Sequence, residues 1–103
     1  MSNKGSAMRI GYIIASNKVA KERKRIGYLY REESDNDNDS GWRVFSGDET
    51  QEYADDARNF DTYNADTILQ IDPSIGALLA APAPVAFERN VSGKFVKVPA
   101  PSS

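Results

Sequence analysis

The sequence predicts one α+β domain: a mainly antiparallel sheet of about five strands, in the order β-β-β-α-β-β, with helix packed on one face. Three observations predict it. Short β-branched and aromatic runs occur towards both ends of the chain, turn-forming stretches separate successive runs, and helical spacing of apolar residues begins near Asn64. A length of 103 residues fits one domain with one core. Hydrophobic residues at 40% and charged residues at 27% are ordinary globular values, which excludes wholesale disorder.

Residues 1–8 read as a flexible leader, polar and small, without the apolar run of a secretory signal. The domain is placed at residues 9–98. Ile10-Gly11-Tyr12-Ile13-Ile14-Ala15 is apolar and β-branched enough for a buried first strand. Ser16 to Arg25 is polar and basic and reads as a turn or short irregular excursion. Ile26 to Arg31 is a second strand, with Tyr28 and Tyr30 on one face. Glu33 to Gly41 is a loop, because Ser, Asp, Asn and Gly favour turns over strand ladders. Trp42 to Ser46 alternates and forms the third strand, so strands two and three make a hairpin with an acidic tip.

Gly47 to Tyr63 is polar with aromatic punctuation, read as loop with a helical turn near Glu49 to Asp55. From Asn64 the positions Ile68, Leu69, Ile71, Ile75, Leu78 and Leu79 follow helical spacing. Asp72-Pro73 marks a restart, since Asp caps a helix and Pro suits its first position, and Pro82 closes it. Val85 to Arg89 and Lys94 to Val98 are two further strands around the turn Asn90 to Gly93. Residues 99–103 form a flexible tail. The longest apolar stretch, Ile75 to Phe87, is interrupted by Pro82 and Pro84 and is shorter than the roughly 20 residues of a membrane span.

The net charge of −2 conceals an asymmetry. Residues 1–31 hold eight basic side chains against Glu22, residues 32–72 thirteen acidic ones against Arg43 and Arg58, and residues 73–103 three basic ones against Glu88. The acidic middle attracts cationic partners and repels nucleic acid. Cysteine is absent, which fits a reducing cytoplasm.

Histidine is absent as well, removing the commonest general base and zinc ligand. No enzyme signature stands out, and a solvated loop outweighs a carboxylate dyad as the reading of the crowded acids. The run Asp35 to Gly41 invites a calcium reading, but the EF-hand register fails: counted from Asp35, the glycine position holds Ser40 and the last position Ser46. No cofactor or metal is therefore expected, and a calcium- or small-ligand-binding regulatory module is the rival reading. Trp42 beside the loop is read first as core and second as an anchor for a partner.

Taken together, Gly11 to Ser16, Gly27 to Glu32, Asp35 to Asp39 followed by Ser40-Gly41-Trp42-Arg43-Val44-Phe45-Ser46-Gly47-Asp48-Glu49, then Asp72 to Ile75 and Phe87 to Arg89, resemble the immunity-protein 33 domain family of bacterial polymorphic toxin systems. The likeness extends from about Arg9 to Val98. It implies a protein that protects a cell from a cognate protein toxin, read here as acting by direct contact; the residues themselves point away from an enzyme and from nucleic-acid or membrane partners. It supplies no site residues. The charge map does: Asp35, Asp37, Asp39, Asp48 and Glu49 are candidates to enter a basic toxin cleft, with Trp42 as a possible anchor.

Overall fold

The computed structural model describes residues 10–101, so the leader and the last two residues of the tail lie outside the described part. Six strands form one sheet in the spatial order β4-β1-β3-β2-β5-β6. They are β1 (Tyr12–Ser16), β2 (Tyr28–Arg31), β3 (Asp39–Phe45), β4 (Phe60–Tyr63), β5 (Val85–Arg89) and β6 (Phe95–Val98). The two expected hairpins are present, with Leu29 opposite Val44 in one and Glu88 opposite Val96 in the other.

Two features depart from the expected sheet. β4 is a sixth strand within a stretch read as loop. β3 lies between β1 and β2 and runs parallel to β1, whereas every other pairing is antiparallel. β4 pairs with the edge of β1 that β3 leaves free and satisfies the backbone groups there.

Alternation along the strands sorts residues between two faces. Ile13, Ala15, Leu29, Trp42 and Val44 point to one side and are fully buried. Against them pack Val19 of α1 (Asn17–Ala20), Ile68 of α3 (Ala65–Ile71), and Ile75 and Leu79 of the 3₁₀ segment Pro73–Leu78 and its end. Fully burying each large apolar side chain contributes about 1.5–3 kcal/mol, so this layer holds the domain together. The polar excursion after β1 thus contains one helical turn, anchored by Val19. The restart at Asp72-Pro73 is a 3₁₀ rather than an α-helix, and it ends before Pro82.

Capping fixes where these helices begin. Asn64 Oδ1 accepts from the Thr67 N–H at 2.9 Å, and Asp72 Oδ1 accepts from the Ser74 N–H at 3.2 Å. Asp72 does more. Its Oδ2 accepts from the Ile26 N–H at 2.9 Å and from Arg89 Nη2 at 2.6 Å, with both side chains about one-tenth exposed or less. Arg89 also donates to the carbonyls of Ile26 and Gly93 and lies over the Phe95 ring, 4.2 Å from its centre. One ion pair therefore ties the chain entering β2 to the helical layer and to the β5–β6 hairpin.

Among the described residues, the other sheet face is only partly covered. It carries Ile14, Tyr28, Tyr30, Arg43, Phe45 and Phe60, all half-buried, and α2 (Gln51–Ala54) covers only part of it through Tyr53.

Candidate functional site

The β2–β3 connection is a turn built from its own side chains. Ser34 Oγ accepts from the Asn36 N–H at 3.1 Å, and Asn36 Oδ1 accepts from the Asn38 N–H at 2.9 Å. The Asn36 carbonyl accepts from the Asp39 N–H, closing the loop onto the start of β3. These short-range bonds are what Ser, Asn and Asp offer in place of ladder bonds. They fix the backbone while Asp35 and Asp37 stay exposed at the tip, and neither forms an ion pair among the described residues.

Asp39 differs from its neighbours. Its carboxylate takes a two-pronged bond from Arg43, Nη1 to Oδ1 at 2.7 Å and Nη2 to Oδ2 at 2.8 Å, and it accepts from the Gly41 N–H. Only 8% of its side chain is exposed. Arg43 reaches on to Glu32, Nε to Oε2 at 2.9 Å. The geometry depends on Gly41, whose φ of +89° few L-residues adopt and whose added Cβ would meet the Glu32 carbonyl oxygen. Four residues along a regular strand span about 13 Å, so the kink at Gly41 is what lets Asp39 and Arg43 meet.

The hydrogen bond from Arg43 is the largest influence on Asp39 and holds its pKa down at about 2. The folded value lies below the ordinary one, so the pair stabilises the fold above the unfolded pKa, and that contribution is lost as pH falls through the folded one. Thermal unfolding followed from pH 5 to 2 should therefore show a loss of stability below about pH 4, and Asp39→Asn should flatten that part of the profile.

Behind the turn, Arg31 donates to the carbonyls of Ser40 and Ala81, both at 2.8 Å, and its guanidinium lies 5.7 Å from the Trp42 ring centre. Trp42 itself is fully buried. Its indole N–H donates to the Leu79 carbonyl at 3.2 Å, and its ring stacks on Phe87. With no surface to offer, Trp42 is core and supports the turn from below; the anchor reading gives way.

Asp48 and Glu49 sit at the other end of β3, about 20 Å along the strand from the acidic turn. Asp48 pairs with Lys18 and Lys24. Glu49 accepts from the Ser16 hydroxyl at 2.6 Å and from the N–H groups of Ser46 and Gly47, closing the turn that follows β3. Burial alone would raise the Glu49 pKa, but these bonds outweigh it and lower the value. The five candidate acids thus divide. Asp35 and Asp37 face solvent, Asp39 and Glu49 hold turns together, and Asp48 is neutralised by lysines. Among the described residues, no three acidic side chains converge as a metal site would require.

What the sequence reading missed lies on the partly covered sheet face. Tyr28, Tyr30 and Phe45 form a continuous cluster with ring centres 5.7–6.0 Å apart, extended by Phe60 and Tyr53. The alternation placed Tyr28 and Tyr30 on one face; nothing in it indicated that, among the described residues, this face would be only partly covered.

The described residues thus form a small α+β domain with a self-braced acidic turn at one end and a half-buried aromatic cluster on one sheet face. Among known families, the model described as "Immunity protein Imm33 domain" matches residues 13–99, and the chain belongs to that family. Membership gives it an immunity-protein role, with a toxin as the general class of partner. No curated protein and no solved structure shows significant similarity to the chain. No helix among the described residues is long and apolar enough to cross a membrane.

Proposed function

We propose that the protein neutralises its cognate toxin by direct contact, with the turn Glu32 to Asn38 as its electrostatic docking element. The observation that carries this reading is the placement of Asp35 and Asp37: exposed, without an ion-pair partner among the described residues, and borne on a backbone already fixed by side-chain hydrogen bonds. A pre-ordered turn loses little entropy on docking, and its negative charge speeds encounter with a basic cleft. Asp39 acts from within as the brace of the turn. Asp48 and Glu49, at the far end of β3, take no part in this element.

The test is association kinetics with the purified toxin across a salt series. Asp35→Asn combined with Asp37→Asn is expected to slow association by about tenfold at low salt and to flatten its salt dependence, with little change in dissociation. An association rate unaffected by the double substitution removes the turn from the interface.

A further inference from the structure

The half-covered face of the sheet carries a cluster of side chains apart from the acidic turn. Tyr28, Tyr30 and Phe45 are half-buried, with Tyr30 and Phe45 stacked at 5.9 Å and 18° between planes. Two shallow grooves, of about 300 and 330 Å³, meet at Phe45 and Ala54. Tyrosine with apolar neighbours and few mobile side chains is the composition of energetically dominant interface centres.

Two exposed carboxylates stand on the rim: Asp55 borders one groove and Glu88 the other. Glu88 also borders a neighbouring groove with Lys24, Arg25 and Arg89. Glu32, nearest the acidic turn, is paired with Arg43. The cation set into this face, Arg43, is already matched by Asp39 and Glu32. The tyrosines register this field. Burial first, then Glu88 for Tyr28 and Glu32 for Tyr30, raise their hydroxyl pKa values. Elsewhere in the molecule aromatic faces already hold cations: Lys18 over Tyr53, Arg31 over Trp42 and Arg89 over Phe95. Among the described residues none lies over Tyr28, Tyr30 or Phe45.

We infer that the Tyr28–Tyr30–Phe45 face is a second docking surface, and that its occupant is an arginine-bearing protein segment whose guanidinium groups lie on the rings while the rim carboxylates match its charge. Arginine fits because its planar cation stacks on aromatic faces and its stem covers apolar surface. This inference rests on the reading of the protein as a direct toxin binder: the acidic turn governs encounter, and the aromatic face governs how long the complex lasts.

The probe is a blocked eight-residue peptide alternating arginine and serine, titrated into the ¹⁵N-labelled full chain, with a glutamate-serine peptide as control. Saturable amide shifts at residues 28–30, 45 and 88, given by the arginine peptide alone, are expected. Tyr30→Ala should weaken binding roughly tenfold, Tyr30→Phe by no more than about twofold, and Glu88→Lys by about three- to tenfold. The last two substitutions keep the test decisive if Tyr30→Ala does not fold. Shifts confined to residues 33–38, no shifts, or shifts that follow protein concentration without peptide overturn the inference; the last would mark the face as a self-association surface. The two readings fail separately. Loss of toxin association in the acidic-turn variant, with no peptide on the aromatic face, removes this surface and leaves neutralisation by contact standing. Peptide binding at the face without any complex between protein and toxin does the reverse.

Discussion

Replacing Arg89 by alanine is expected to lower the stability of the fold by about 3–5 kcal/mol, the cost of leaving a buried carboxylate without its partner. Asp72 would keep its bonds from Ile26 and Ser74 but lose the guanidinium at 2.6 Å, while the carbonyls of Ile26 and Gly93 would lose a donor. The dependence on pH identifies the mechanism. In the native protein burial pushes the Asp72 pKa up, but the bonds from Ser74 and Ile26 and the charge of Arg89 outweigh it, and the net shift is downward. Removing Arg89 moves the folded pKa upward, so the deficit against the native protein should be largest near neutrality and narrow as pH falls through the Asp72 titration. Urea unfolding at pH 7 and at pH 4 measures both terms. A deficit that stays constant with pH would assign the loss to packing on Phe95 instead. Replacing Asp72 by leucine as well as Arg89 by methionine should recover part of the loss, because no unpaired charge then remains.

Trp42→Ala carries the second large effect, also about 3–5 kcal/mol, since it empties the largest fully buried side chain from the core. The gentler Trp42→Phe keeps an aromatic ring against Phe87 and loses the bond to the Leu79 carbonyl, a cost of about 1–3 kcal/mol for leaving that acceptor unpaired. Denaturant midpoints measure both. Calorimetric titration with toxin separates stability from recognition: the folded Trp42→Phe protein should bind as tightly as the native one, because the indole presents no surface. A loss of affinity in fully folded Trp42→Phe would return this residue to the interface.

Much of this architecture was legible where the information is local. The two hairpins announce themselves by alternation on either side of turn-forming residues, and α3 by apolar spacing from about Asn64. β4 was not legible, because Phe60-Asp61-Thr62-Tyr63 has two exposed residues and no apolar run; it is a strand because β1 offers it an edge. The same limit applies to the site. Asp35, Asp37 and Asp39 look equivalent in a row of Asp and Asn, and only the kink at Gly41 gives one of them to Arg43. Asp48 and Glu49 are close to them in sequence, but an intervening strand carries them to the opposite end of the sheet. The motifs at Asp72 and at Phe87 to Arg89, separate in the chain, meet in one ion pair that no spacing rule predicts.

The placement of β1 has a consequence for how the chain is made. Its neighbours in the sheet are β3, beginning at Asp39, and β4, beginning at Phe60. During synthesis β1 leaves the ribosome before either exists. The β2–β3 hairpin closes over a short loop and can form early, whereas β1 must stay unpaired, with Ile13 and Ile14 in water, until that hairpin is complete and a further stretch of chain has emerged. β1 is therefore bound to wait, and the interval before residues 60–63 appear is when this part of the nascent chain is most open to chaperones and to aggregation.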